Sequence, residues 1–241
     1  MIAAHQPAIF GKNVRVGVSS KTDGNMKFGV ADDDETVKNR EAFLKSVGIP
    51  IESTTVVAIT YDTDDFAKYR IVNDSEKGKE MKRTGEVEYA DALVTLDPHH
   101  ALFLPLADCV GAVLYDEAHG ALMVSHLGRH SVEEEGAKKS VQYLQEIASS
   151  DPATLKVWLS PGVGNATYPL RAFENKSLHD VITQQLVQAG ILAENIESAN
   201  VDTAASDDYF SHSQFLKGDE TDAGRFAVVA MMMGVQGEPA S

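Results

Sequence analysis

The chain has 241 residues, 43% of them hydrophobic, and sets 21 Lys and Arg against 36 Asp and Glu, a formal charge of −15. That charge repels phosphate backbones and anionic lipid surfaces, so nucleic-acid and membrane binding are set aside, whereas a small anionic molecule needs only a few local cations. Length and apolar content suit one compact domain over residues 1–241, and the single Cys109 rules out an internal disulfide or a cysteine-rich metal framework.

Residues 1–7 have no positive n-region, long apolar stretch or small-residue cleavage site, and no apolar run reaches membrane-spanning length, so a cytoplasmic protein in a reducing compartment is expected. Residues 13–18 alternate Val14, Val16 and Val18 with polar neighbours, the period of a half-buried strand. Asp32, Asp33 and Asp34 then offer N-caps to a helix whose apolar face is Val37, Phe43, Leu44 and Val47, stopped by Gly48 and Pro50. Residues 56–61 read as a second strand. Residues 72–88 are rich in charge, contain Gly78 and Gly85, and predict an exposed, mobile loop able to cover a site.

Four central strands are predicted over Ala92–Thr95, Ala101–Leu106, residues 111–115 and residues 121–126, apolar runs separated by turn-forming breaks. Ser131 with Glu134 forms a capping-box pattern ahead of a helix striped by Ala137, Val141, Leu144 and Ala148. Lys156–Leu159 is a further strand, the Ser177/Asp180 box opens a third helix closed by Gly190, and strands follow near Ile196 and over Phe226–Met232. Strands broken by three capped helices, without regular βαβ alternation, predict an α+β fold.

Cys109 lies between two apolar runs, where a side chain can project from a tight connection into a cleft, although a lone cysteine is more often a small core residue. His126 ends a strand and precedes Gly128, at a strand-to-helix turn where a side chain and free N–H groups face one cavity; an isolated histidine more often has an ordinary structural role. His126 and His130 lack the glutamate of the metalloprotease helix, and Gly128 lies between them. His99 and His100 read as turn residues. Residues 62–65 are acidic but lack the glycine and distal glutamate of a calcium loop.

Taken together, these segments resemble the bacterial laccase-domain proteins, a family also described as multicopper polyphenol oxidase-like or purine nucleoside phosphorylase-like. The resemblance spans nearly the whole chain. It is carried by Val18-Ser19-Ser20, Gly24-Asn25-Met26 and Asn39-Arg40, and most specifically by Asp91-Ala92-Leu93-Val94-Thr95 with Ala107-Asp108-Cys109. Ser125-His126-Leu127-Gly128 is similar to the family's Ala-His-Ala-Gly turn, Gly162-Val163-Gly164 with Tyr168 to its glycine loop, and Phe210-Ser211 with Gly224-Arg225 to its closing elements.

The resemblance implies a sandwich of layered mixed sheets flanked by helices, α/β/β/α in order. It also implies a zinc ion held by two histidines and a cysteine, acting on purine nucleosides by phosphorolysis or deamination. Cys109 and His126 match two ligand positions. The third, a histidine in a Gln-Val-His motif, is replaced within Thr60-Tyr61-Asp62, which makes Asp62 the expected third ligand and catalytic group. Arg129-His130 stands where the family has Trp-Arg. A carboxylate in place of an imidazole leaves zinc less positive and a poorer Lewis acid, so weaker catalysis is expected unless His99, His100 or His130 completes the shell. Arg40, Arg129, Arg225 and Asn25 are the candidate substrate-binding residues, for nucleoside and phosphate.

Copper oxidation is not expected. Blue and trinuclear copper centres together need roughly ten histidines, largely in His-x-His pairs, whereas this chain has eight and no such pair. Two other readings use the same residues. Cys109 as nucleophile, His126 as base and Asp62 or Asp108 as orienting carboxylate would make a cysteine hydrolase or amidase. A diverged, non-catalytic ligand-binding member would retain the cleft alone.

Overall fold

The structure, a computed structural model, describes residues 7–30, 32–82 and 87–234. The reading of residues 1–6, and the part of the charged stretch at 83–86, lie outside the described residues.

Among the described residues ten strands form two sheets. One contains β1 (Val14–Val18), β2 (Thr54–Val56), β5 (Ala101–Leu106) and β10 (Phe226–Met232), ordered β1-β10-β5-β2. The other contains β3 (Tyr69–Val72), β4 (Ala92–Thr95), β6 (Val110–Asp116), β7 (Ala121–Leu127), β8 (Lys156–Leu159) and β9 (Ile196–Ser198), ordered β3-β4-β7-β6-β8-β9. Parallel pairs at β2/β5, β3/β4 and β8/β9 join antiparallel neighbours, so both sheets are mixed. This is the α+β architecture expected.

Strand alternation builds the layers. Leu102, Leu104 and Leu106 of β5 and Val228 and Ala230 of β10 face Val113, Tyr115, Leu122 and Val124 of the other sheet. The intervening residues Phe103, Ala227 and Val229 turn away and pack under α1 (Asp33–Ser46), through Phe43 and Leu44. On the far side, Ala112, Leu114 and Met123 are covered by Val141 and Leu144 of α3 (Gly136–Ala148) and by Ile182 and Leu186 of α4 (Leu178–Gln188). Central strands buried on both faces explain why they read as continuous apolar runs rather than as alternation.

The expected caps of α1 and α4 form: Asp32 accepts the Glu35 N–H, and Ser177 and Asp180 bond reciprocally. Three local readings are corrected. The strand expected over 56–61 ends at Val56, because the chain then changes partner; Val57 still donates to Phe103 O, but Ala58 pairs with the segment around Tyr89. Ser131 does not cap. The turn is capped by Gly128, α2 (Arg129–Glu133) ends with Glu134 as its C-cap, and Glu135, with a φ of +60°, opens the next helix. At Gly136 a Cβ would lie 2.0 Å from Ser131 Oγ, so the tight junction requires glycine there.

Within 72–88 the composition conceals anchors. Val72 and Met81 are fully buried, and Glu76 is held by Arg70 and Asn73. The edge strand β3 and the short helix α5 (His212–Lys217) had not been anticipated.

Candidate functional site

Period-two alternation aims His126 at the same side as Leu122 and Val124, into the space between the sheets, at the end of β7. The turn joining β5 to β6 brings Cys109 to the same end. Gly128 separates neither group from the other: a Cβ there would meet Cys109 Sγ at 2.8 Å and His126 Cε1 and Nε2 at 3.3 and 3.5 Å. Glycine therefore keeps sulfur and imidazole on one wall of a cavity of about 300 Å³.

The cavity is walled by Ile59, Tyr61, Phe66, Leu106, Val163 and Leu178, and edged by Lys27, Arg129, His130, His212 and Arg225. The Tyr61 hydroxyl lies 4.0 Å from Cys109 Sγ, and its ring meets the His126 ring edge-on at 6.3 Å. Phe66 stacks on His130 at 4.7 Å, and Arg129 donates to His130 Nε2 at 3.2 Å. The Arg225 backbone N–H is held by Asn25 Oδ1, while its guanidinium donates to the Gly224 carbonyl at 2.9 Å. No carboxylate of the described residues forms an ion pair with Lys27, Arg129 or Arg225.

Burial, then the charge of Lys27, pushes His126 down to about 4, so its imidazole is neutral near pH 7. Enclosure pushes the Cys109 thiol up to about 11. At that value roughly one thiol in ten thousand is ionised at pH 7, which disfavours a cysteine nucleophile. Cys109 also has Tyr61, rather than an imidazole, as its side-chain partner. The Tyr61 hydroxyl is raised above the usual phenol range, first by the Cys109 sulfur and then by burial. Burial and then repulsion from Arg225 lower Lys27, and burial lowers Arg225.

The structure brings Cys109, His126, Arg129, His130 and Arg225 together. Asp62 is exposed and lies on a neighbouring cavity, with its N–H on Thr60 Oγ1. Arg40 lies on the neighbouring cavity rather than the one holding Cys109; it is 2% exposed, donates to the carbonyls of Met26, Glu80 and Met81, and packs on the Phe28 ring. Asn25 is buried and holds the Lys27 and Arg225 segments in place. His100 is buried against Thr55, and His99 lines a different cavity. Lys27, Tyr61 and His212 were missed, since nothing local in the sequence separates them from surface residues.

The donor chemistry does not fit the zinc site expected. Among the described residues, no three His, Cys, Asp or Glu side chains converge in a group able to hold a metal ion. A catalytic zinc takes three protein donors, and a ligating imidazole normally donates its other N–H to an acceptor. Here Asp62 lies outside the cavity, and His126 Nδ1 is buried with no hydrogen-bond partner among the described residues.

A family described as multi-copper polyphenol oxidoreductase laccase matches residues 9–233. The chain is 20% identical over 205 residues to a purine nucleoside phosphorylase of Bacteroides thetaiotaomicron, covering 76% of this chain and 74% of the relative. Its fold is similar to that of a Bacillus licheniformis hypothetical protein, YfiH, with TM-score 0.81 and 20% identity over 91% of this chain and 92% of the other. It is also similar to YlmD from Geobacillus stearothermophilus, with TM-score 0.82 and 19% identity over 94% of each chain. Among the described residues no helix is long and apolar enough to cross a membrane.

Proposed function

We propose that this chain, which belongs to the multi-copper polyphenol oxidoreductase laccase family, binds a purine nucleoside with phosphate and cleaves it by phosphorolysis. The observation that carries this reading is the juxtaposition on one cavity of an apolar wall with Lys27, Arg129 and Arg225, none of which forms an ion pair with a carboxylate of the described residues. In a chain of charge −15, such a cluster is an anion site surrounded by repulsive surface. The likeness to a purine nucleoside phosphorylase supports the substrate class.

In this reading a phosphate oxygen attacks C1′ of the ribose, and the bond from C1′ to the base nitrogen breaks. The electron pair leaves with the base, and ribose 1-phosphate forms. Lys27, Arg129 and Arg225 hold the phosphate and shield its charge as it approaches C1′. Phe66 and Tyr61 provide flat surface for the base. The Tyr61 hydroxyl, protonated near pH 7, and His212 are donors available to the departing base. Deamination is the lesser reading, because these cations serve an anion more directly than they activate water. Among the described residues the donor set for zinc is incomplete, and the cations and Tyr61 carry the cleavage in this reading.

The test is incubation of the purified chain with inosine, guanosine or adenosine, with and without phosphate, followed by chromatography of bases and sugars. Free base and ribose 1-phosphate in the phosphate arm alone are expected. Ammonia release without base would move the assignment to deamination. Nucleoside binding without either product favours the ligand-binding reading, which the incomplete donor set supports, and overturns phosphorolysis.

A further inference from the structure

We infer that Tyr61 occupies the third donor corner of the Cys109/His126 wall, and that its phenol has replaced metal coordination, so the protein has no tight resident zinc. Three observations lead there. Tyr61, rather than Asp62, is the residue of the Thr60-Tyr61-Asp62 segment that enters the cavity, with its hydroxyl 4.0 Å from Cys109 Sγ and its ring against His126. Residues 61–64 form a bend in which Tyr61 borders both cavities, whereas Asp62 borders the adjoining cavity and not the one that holds Cys109. Finally, His126 Nδ1 is buried, and no acceptor among the described residues orients the ring for a metal.

With its hydroxyl 4.0 Å from Cys109 Sγ and its ring against His126, Tyr61 fills this corner with its own side chain. Two strong donors are left, one fewer than a catalytic zinc requires. The cavity's positive charge then comes from Lys27, Arg129 and Arg225. This inference concerns the donors alone and stands whether or not the bound nucleoside is cleaved.

The same geometry predicts a gain of function. Tyr61→His places an imidazole on the wall already carrying sulfur and His126, which completes three donors. Tyr61 is 58% exposed, so the exchange leaves the core intact. Zinc affinity of the full, untagged chain is measured by competition with a chromophoric chelator, and cobalt is added separately to read thiolate-to-metal absorption. The wild type is expected to lose zinc to the chelator and to show no charge-transfer band. Tyr61→His should bind one equivalent at least about 100-fold more tightly and show the band, and Cys109→Ser in that background should abolish both.

One equivalent of tight zinc in the wild type, weakened by Cys109→Ser or Tyr61→Phe, overturns the inference. Failure of Tyr61→His to gain affinity, with its circular dichroism unchanged, overturns the assignment of Tyr61 to that corner. Neither result depends on nucleoside turnover, which is read separately by base release.

Discussion

The Asp108 carboxylate accepts the Ser213 backbone N–H at 2.6 Å, which ties the turn carrying Cys109 to the first turn of α5. Its other oxygen accepts the Thr203 hydroxyl at 2.8 Å, and its own carbonyl accepts the Val163 N–H. Asp108 adopts a φ of +77°, a left-handed conformation that asparagine and aspartate tolerate better than most residues. One residue thus sets the β5–β6 turn, the glycine loop and the helix that presents His212.

Asp108→Asn and Asp108→Ala should separate these roles. Asparagine keeps an acceptor and the tolerated backbone, so a cost of about 1 kcal/mol is expected; alanine loses both bonds and should cost roughly 2–4 kcal/mol. Urea unfolding midpoints measure the difference. Equal midpoints for the two variants would contradict this account of the buried carboxylate.

Arg225→Gln should weaken phosphate binding by about tenfold or more, a loss of at least roughly 1.4 kcal/mol, with little change in thermal stability. Asn25 grips the backbone of Arg225 rather than its guanidinium, so the segment stays in place. Calorimetric titration with inorganic phosphate reads the effect; unchanged affinity would remove Arg225 from the anion site.

Arg40→Met should lower stability by about 2–4 kcal/mol and leave phosphate affinity of the folded protein unchanged. The substitution strands carbonyls of Met26, Glu80 and Met81 and removes a cation 4.2 Å from the Phe28 ring centre. A weakened phosphate titration with normal melting would instead return Arg40 to the binding site.

His126 predicts a pH dependence. Its pKa falls from 6.5 to about 4 on folding. The neutral ring therefore adds nothing adverse above pH 6.5, and stability declines as pH falls toward 4 because the unfolded chain takes up the proton first. The full effect is about 3 kcal/mol. Denaturation of wild type and His126→Gln at pH 7 and pH 4.5 should show a smaller acid loss in the variant; parallel losses would mean that His126 is not the group responsible.

The sequence by itself determined the strands Ala92–Thr95, Ala101–Leu106, Lys156–Leu159 and Phe226–Met232, because buried strands leave unbroken apolar runs between turn-forming residues. It also singled out Cys109 and His126, which stand at the ends of such runs, and Arg129 and Arg225 beside them. Tyr61 against Asp62 was beyond it. Residues 61–64 form a bend rather than a strand, and which of its side chains meets the cavity depends on the chain leaving its pairing with β5 after Val56 to pair near Tyr89. Lys27 and His212 reach the same cavity from segments far apart in the chain. Only tertiary packing decides such meetings, because a contact between distant segments leaves no local periodicity, and the same packing buried Arg40 against backbone carbonyls that a linear reading cannot locate.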